Sequence, residues 1–211
     1  MDILKAKQEM IDVGKKLYQK GYLAATDGNI SVKLSAHRFL VTASGIIKGA
    51  LTEEDILLVD SQGETIDCTG KPSSEFKLHL AIYNQRADVK AICHTHSVHS
   101  STLACAGLPL DKPFMSELII TLGSVPLLKY GTPGTEEIFA DLNGKIESNS
   151  ALLLEHHGAV VFGSELESVY QKVETLEHCA AVYINLLKID RLRELSSDDV
   201  HKLQDIRKNL S

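Results

Sequence analysis

Residues 151–163 read Ala-Leu-Leu-Leu-Glu-His-His-Gly-Ala-Val-Val-Phe-Gly. Two apolar, strand-like runs, 151–154 and 159–162, flank a break that ends in glycine. A parallel crossover needs a dozen or more residues, so two strands joined this closely turn back on each other. The same pattern recurs upstream. Residues 30–34 alternate apolar and polar after the turn signal Thr26-Asp27-Gly28-Asn29, and 38–42 and 56–60 read as further strands. Asp60-Ser61-Gln62-Gly63-Glu64 is another turn signal. Residues 89–93 form a β-branched run that leads into His94-Thr95-His96. Residues 116–128, apolar around Gly123, are expected to contain a strand.

Helical spacing lies between these strands. It covers 2–20, stopping at Gly21, then 73–86, and 98–106. Gly134-Thr135-Glu136-Glu137 opens a further helix with Thr135 as its cap. Ser164-x-x-Glu167 reads as a capping box before a stripe of Leu166, Val169, Tyr170, Val173, Leu176, Ala180, Tyr183 and Leu187. Helices and strands interleave, yet several neighbouring strands are joined by short turns. The expectation is an α/β chain with a mixed or mainly antiparallel sheet covered by helices.

The chain has 211 residues, which predicts one domain over 1–211. Hydrophobic residues make up 44% and charged residues 24%, so bulk disorder is excluded. With 22 Lys and Arg against 28 Asp and Glu, the net charge is −6, and no basic footprint for nucleic acid exists. No apolar run is long enough to span a membrane. The first residues, Met1-Asp2-Ile3-Leu4-Lys5, are too polar for a secretory signal. Cys68, Cys93, Cys105 and Cys179 are scattered and read as reduced thiols of a cytoplasmic protein.

Five of the nine histidines lie at 94, 96, 99, 156 and 157. His94-x-His96 at a strand end puts two imidazoles on one face, where they can share a divalent metal. A third ligand is then wanted, and His157, before Gly158, is available. Three protein ligands with an open position suit a catalytic zinc. A lone His-x-His is a common accident, whereas this pair with a distant His-His-Gly points to metal. Glu75, in Pro72-Ser73-Ser74-Glu75, can be an ordinary acid in a first helical turn. If that turn faces the metal, its carboxylate can move a proton next to a bound carbonyl. Gly28-Asn29, Ser44-Gly45 and Ser73-Ser74 are small, hydrogen-bonding loop pairs suited to an anion, and Ser73-Ser74 opens a helix. No dinucleotide, Walker or nucleophile-elbow motif is present. Cys93, His79, His178, Tyr170 and Tyr183 read as packing or surface residues.

Gly28-Asn29-Ile30-Ser31, Thr42-Ala43-Ser44-Gly45, Pro72-Ser73-Ser74-Glu75, His94-Thr95-His96 and His156-His157-Gly158, in this order, resemble one family. It is the class II aldolase family of L-fuculose-phosphate aldolase and L-ribulose-5-phosphate 4-epimerase. The resemblance implies a three-layer α/β/α sandwich around a mainly antiparallel sheet, and a C4 homotetramer with active sites between subunits. It implies one zinc per subunit on His94, His96 and His157, with Glu75 as acid/base. It also implies a phosphate pocket of Asn29, Ser44, Gly45, Ser73 and Ser74. The implied activity is aldol cleavage of a phosphorylated ketose, first L-fuculose 1-phosphate, to dihydroxyacetone phosphate and L-lactaldehyde. Where the fuculose-phosphate enzyme has a tyrosine that protonates the aldehyde oxygen, the nearest counterpart here is Phe114. Tyr130, Glu117 or a residue of a neighbouring subunit would replace it. The same scaffold also supports an epimerase, a methylthioribulose-1-phosphate dehydratase and the non-catalytic adducin head.

Overall fold

The computed structural model describes residues 2–66 and 69–210. Cys68 lies outside them. Helix α1 (Ile3–Gln19) opens where the Asp2 carboxylate accepts from the Leu4 amide at 3.1 Å. Its buried stripe is Ala6, Met10, Val13 and Leu17. Seven strands follow: β1 (Asn29–Ser35), β2 (Arg38–Thr42), β3 (Ile56–Val59), β4 (Ala91–Thr95), β5 (Leu127–Leu128), β6 (Ala151–Leu154) and β7 (Gly158–Gly163). They form one sheet in the order β3-β2-β1-β4-β7-β6-β5. Every pairing is antiparallel except β5 with β6. The short-turn argument therefore decided the sheet's direction correctly.

Alternating side chains give the sheet two apolar faces. Ile30, Val32, Ala91, Cys93, Leu153 and Val161 face α1, α3 (Val98–Cys105) and α4 (Leu166–Lys188). Phe39, Val41, Leu57, Ile92, Leu152, Val160 and Phe162 face α2 (Phe76–Gln85) and the segment bearing Ile138, Leu142 and Ile146. The result is helices on both sides of a mainly antiparallel sheet. Register places Asn29 opposite His94, and His94 opposite Val160, at one end of the central strands.

The strand expected within 116–128 is the two-residue β5, preceded by a π-helical turn at Leu118–Leu122. Three local expectations are corrected. Thr135 caps only a 3-10 turn, Glu136–Phe139. The capping box at 164–167 does not form: α4 starts after Glu165 with no side-chain cap. Glu167 turns instead to the Lys16 ammonium at 2.8 Å. The turn at 60–64 leads only to a single bridge, Val59 with Thr65. A further helix, α5 (Ser197–Leu210), lies outside the sequence expectations: it is mostly polar, with Val200, Leu203, Ile206 and Leu210 as its few apolar points.

Candidate metal centre and active site

β4 delivers His94 to the α2 face of the sheet, and His96 lies just past its end. His157 arrives from the tight turn between β6 and β7, where His156 adopts a left-handed φ of 56°. Gly158 makes the approach possible: a Cβ there would lie 2.5 Å from the Thr95 carbonyl oxygen and 2.9 Å from the His96 ring. His94 Nε2 sits 2.8 Å from His96 Nε2 and 3.1 Å from His157 Nε2. The ligating nitrogens of the three residues all lie within 4.8 Å of one another. Imidazoles on a tetrahedral zinc at about 2.0–2.1 Å have nitrogens roughly 3.3 Å apart.

Donor chemistry decides whether a cation fits. His94 Nδ1 lies 2.9 Å from the Ala159 carbonyl oxygen, which can only accept. Nδ1 therefore carries the hydrogen and Nε2 presents a bare lone pair. That lone pair faces Glu75 Oε2 at 3.2 Å, while Glu75 Oε1 lies 3.0 Å from His157 Nε2. That lone pair, the carboxylate and the two further ring nitrogens form a donor set that a cation among them would satisfy. His157 Nδ1 is buried and has no partner among the described residues. The residues fit a divalent metal.

Charge states agree. Burial lowers the pKa of His94 to about 3 and also lowers that of His96, which holds both in the neutral, ligating form. Burial works against the charge of Glu75 as well. The hydrogen bond of His157 and the neighbouring imidazoles outweigh it and pull the carboxyl down to about 2. Asn29 Nδ2 adds a donated bond to Glu75 Oε2 at 2.9 Å. Glu75 is thus an ionised carboxylate at the head of α2, beside the neutral imidazoles of His94 and His96 and in contact with His157.

The structure brings His94, His96, His157, Glu75 and Asn29 together. His99 and His156 stay outside: His99 Nδ1 meets Glu177 at 2.8 Å, and His156 lies 6.2 Å from the Tyr130 ring. His79 is the core histidine its sequence suggested, fully buried with Nδ1 2.7 Å from Ser31 Oγ. Cys93 is buried and its thiol pKa is pushed up by that burial, so it packs and does not react. Asp27 was not singled out; its carboxylate lies 3.5 Å from His96 Nδ1. Lys48 was missed too, and its buried ammonium donates to the carbonyls of Thr26 and Ile46. No sequence pattern marks either, since both act across a fold.

The expected anion loops also converge. The Ser44 amide donates to the Lys71 carbonyl at 2.8 Å and the Ser73 amide to that of Thr42 at 3.3 Å. These bonds lay the exposed Ser44-Gly45 segment beside Ser73-Ser74, directly before Glu75. Asn29 differs: it is buried against Glu75. Tyr130 is exposed, with its amide held by Glu155 at 2.8 Å. Glu117 is exposed near Cys179, on the other face of the sheet. Among the described residues, neither has a contact with the three histidines or Glu75. Phe114 packs on Tyr183 at 5.2 Å between ring centres.

The family model described as "Class II Aldolase and Adducin N-terminal domain" matches residues 8–184. The chain belongs to this class II aldolase family. It is 32% identical over 210 residues to a 3-oxo-tetronate 4-phosphate decarboxylase of Haemophilus influenzae, covering 97% of this chain and 99% of that protein. It is 32% identical to a 5-deoxy-D-ribulose 1-phosphate aldolase of Bacillus thuringiensis, covering 96% and 95%. A solved L-fuculose 1-phosphate aldolase superposes with a TM-score of 0.89 at 30% identity, covering 96% of this chain and 95% of that one. The relatives are named as aldolases and decarboxylases, and this class II aldolase is an enzyme. No helix among its described residues is long and apolar enough to cross a membrane.

Proposed function

We propose that this chain is a zinc-dependent carbon–carbon lyase of the cytoplasm, acting as one catalytic unit within a C4 homotetramer. It cleaves a ketose 1-phosphate, first L-fuculose 1-phosphate, to dihydroxyacetone phosphate and an aldehyde. The observation that carries this reading is the ionised Glu75 carboxylate held 3.2 and 3.0 Å from His94 and His157, whose rings converge with that of His96.

His94, His96 and His157 would hold the metal, which when bound supplies a Lewis acid for a carbonyl and for the enediolate left by C–C cleavage. Ser44, Gly45, Ser73 and Ser74 bind the phosphate and fix the sugar's position. Asn29 orients Glu75, fixing its Oε2 with a donated hydrogen bond. In the condensation direction the ionised Glu75 removes the proton from the hydroxylated carbon; in cleavage it takes up a proton from water and passes it to the enediolate carbon. In this reading Tyr130 or Glu117, reaching across from a neighbouring subunit, handles the proton on the aldehyde oxygen.

A second reading is favoured by Phe114, whose ring has no hydroxyl to offer an aldehyde oxygen. Loss of carbon dioxide from a 3-oxo acid phosphate leaves the same enediolate and calls for no such proton. Glu75, protonated from water, then passes that proton to the carbon that carried the carboxylate, and dihydroxyacetone phosphate is again the product. One assay tests both: release of dihydroxyacetone phosphate from L-fuculose 1-phosphate and from 3-oxo-tetronate 4-phosphate, with and without chelator. Chelator-sensitive release is expected, and an aldehyde or carbon dioxide as co-product tells the readings apart. A metal-loaded protein that releases the triose phosphate from neither substrate refutes both.

A further inference from the structure

Lys48 is 2% exposed, and its ammonium is bonded to backbone. It donates to the carbonyl of Thr26 and, at 2.9 Å, to that of Ile46. The two carbonyls belong to different loops. Thr26 comes three residues before Asn29, which holds Glu75. Ile46 directly follows Ser44-Gly45. One side chain therefore ties the loop that leads to the reacting end of the site to a loop assigned to the phosphoryl group. Hydrogen bonds from an ammonium are charge-assisted, which makes such a tie stronger than a neutral one.

The first loop needs holding. The Asp27 amide donates to the Ala24 carbonyl at 2.8 Å, and Ala25 takes a left-handed φ of 47°. A side-chain-bearing residue keeps that conformation only where its surroundings enforce it. At the loop's end Gly28 passes close to β4: a Cβ there would fall 2.6 Å from the His94 carbonyl oxygen. The second loop is exposed at Ser44 and Gly45, and a Cβ on Gly45 would meet nothing within 4 Å. The root of Lys48 is fixed from the far side. Its 3-10 turn, Lys48–Ala50, lies flush on α1, where a Cβ on Gly14 would fall 2.7 Å from the Lys48 carbonyl oxygen. With its backbone set on α1 and its tip on two loops, Lys48 is a strut. Burial lowers its pKa, an effect that the carboxylates of Asp27 and Glu75 partly offset. Among the described residues it hydrogen-bonds to neither acid: Asp27 lies 3.5 Å from His96 Nδ1, and Glu75 accepts from Asn29. Its charge is balanced within the fold, so its task is geometric.

We propose that Lys48 is a positioning residue. By holding the Thr26 and Ile46 carbonyls together it sets the distance between the phosphoryl loop at Ser44-Gly45 and the Asn29–Glu75 pair. The phosphoryl group then places the carbon that Glu75 serves. The proposal rests on the reading that Ser44, Gly45, Ser73 and Ser74 bind a phosphoryl group.

The test compares exchange of carbon-bound hydrogen with solvent deuterium in dihydroxyacetone phosphate and in unphosphorylated dihydroxyacetone, on the zinc-loaded, full-length protein. Wild type should exchange the phosphorylated compound faster. Lys48→Met should slow that exchange by about tenfold to a hundredfold, the cost of a misplacement of about 1 Å. Exchange of dihydroxyacetone and zinc content should stay as in wild type, because neither uses the phosphoryl loop. Lys48→Arg keeps the charge and several donors and should recover part of the loss. Lys48→Gln, with one donor pair, gives the same comparison should Lys48→Met fail to fold. A wild-type preference for the phosphorylated compound that Ser73→Ala reduces but the folded Lys48 variants leave intact overturns the proposal alone. Equal slowing of both compounds, or loss of zinc, in the folded variants also overturns it, since Lys48 would then support the metal centre. A wild type with no such preference overturns the phosphoryl-loop reading and the proposal together.

Discussion

Glu75 shows how one residue takes its role from its neighbours. In the chain it is one acid among 28 Asp and Glu residues. In the fold it accepts from Asn29 at 2.9 Å and faces His94 and His157 at 3.2 and 3.0 Å. Glu75→Gln keeps the shape and one carbonyl oxygen but cannot take a proton. Metal content should be unchanged, and turnover should fall by about 10²–10⁴-fold, the range for loss of a general acid/base. The direct measurement is exchange of the carbon-bound proton of dihydroxyacetone phosphate with solvent. Wild-type exchange in the variant would remove Glu75 from the role assigned to it. The histidines were legible because period-two geometry puts His94 and His96 on one face whatever surrounds them. Asp27 and Lys48 were not, because a carboxylate 3.5 Å from His96 and a buried ammonium behind a loop leave no local signature.

Among the elements, the β6–β7 hairpin governs the site. β7 must run beside β4 closely enough for His157 to meet His94, and Gly158 sits at the point of nearest approach. Gly158→Ala would place a methyl 2.5 Å from the Thr95 carbonyl oxygen, so the backbone of β4 or β7 must shift. Overpacking of this kind costs about 1–3 kcal/mol. The expected result is a lower denaturation midpoint together with weaker metal retention on dialysis. Full metal retention with an unchanged midpoint would show that the hairpin tolerates the shift. At the next corner, α3 is anchored by Glu177 of α4, which accepts from the His99 and Ser100 amides at 2.8 and 2.9 Å. Ser97, the residue at the cap position, gives the helix backbone no side-chain cap; its hydroxyl pairs with that of Ser100 at 2.8 Å. Residues 118–122 are apolar but for Thr121, which carries little period, and burial of Leu118, Ile119 and Leu122 selects a helical turn ahead of the short β5.

For the molecule as a whole, the site's burial links it to stability. His94 and His79 are each lowered to about 3 from an ordinary 6.5 by burial. Between those values the unfolded chain binds protons that the folded chain refuses, so stability rises with pH across that window. Glu75, held at about 2 against an ordinary 4.5, adds a contribution present above 4.5 and lost as pH falls toward 2. The metal-free protein should therefore show a urea midpoint that declines steadily on acidification below about 6.5. A midpoint flat down to pH 4.5 would contradict neutral burial of these histidines. The sequence by itself determined the sheet's direction, because three residues between β6 and β7 leave room only for a reversal. It determined the metal-binding pair as well, because alternation along a strand is local. It offered His157 as the third member, which the fold brings within 3.1 Å of His94; tertiary structure alone decided that Asn29 serves Glu75 and that Lys172 and Arg207 share the Ser150 hydroxyl. Those relations join residues 46 or more positions apart, or meet in a cavity walled by separate helices, and no periodicity in a chain encodes such a distance.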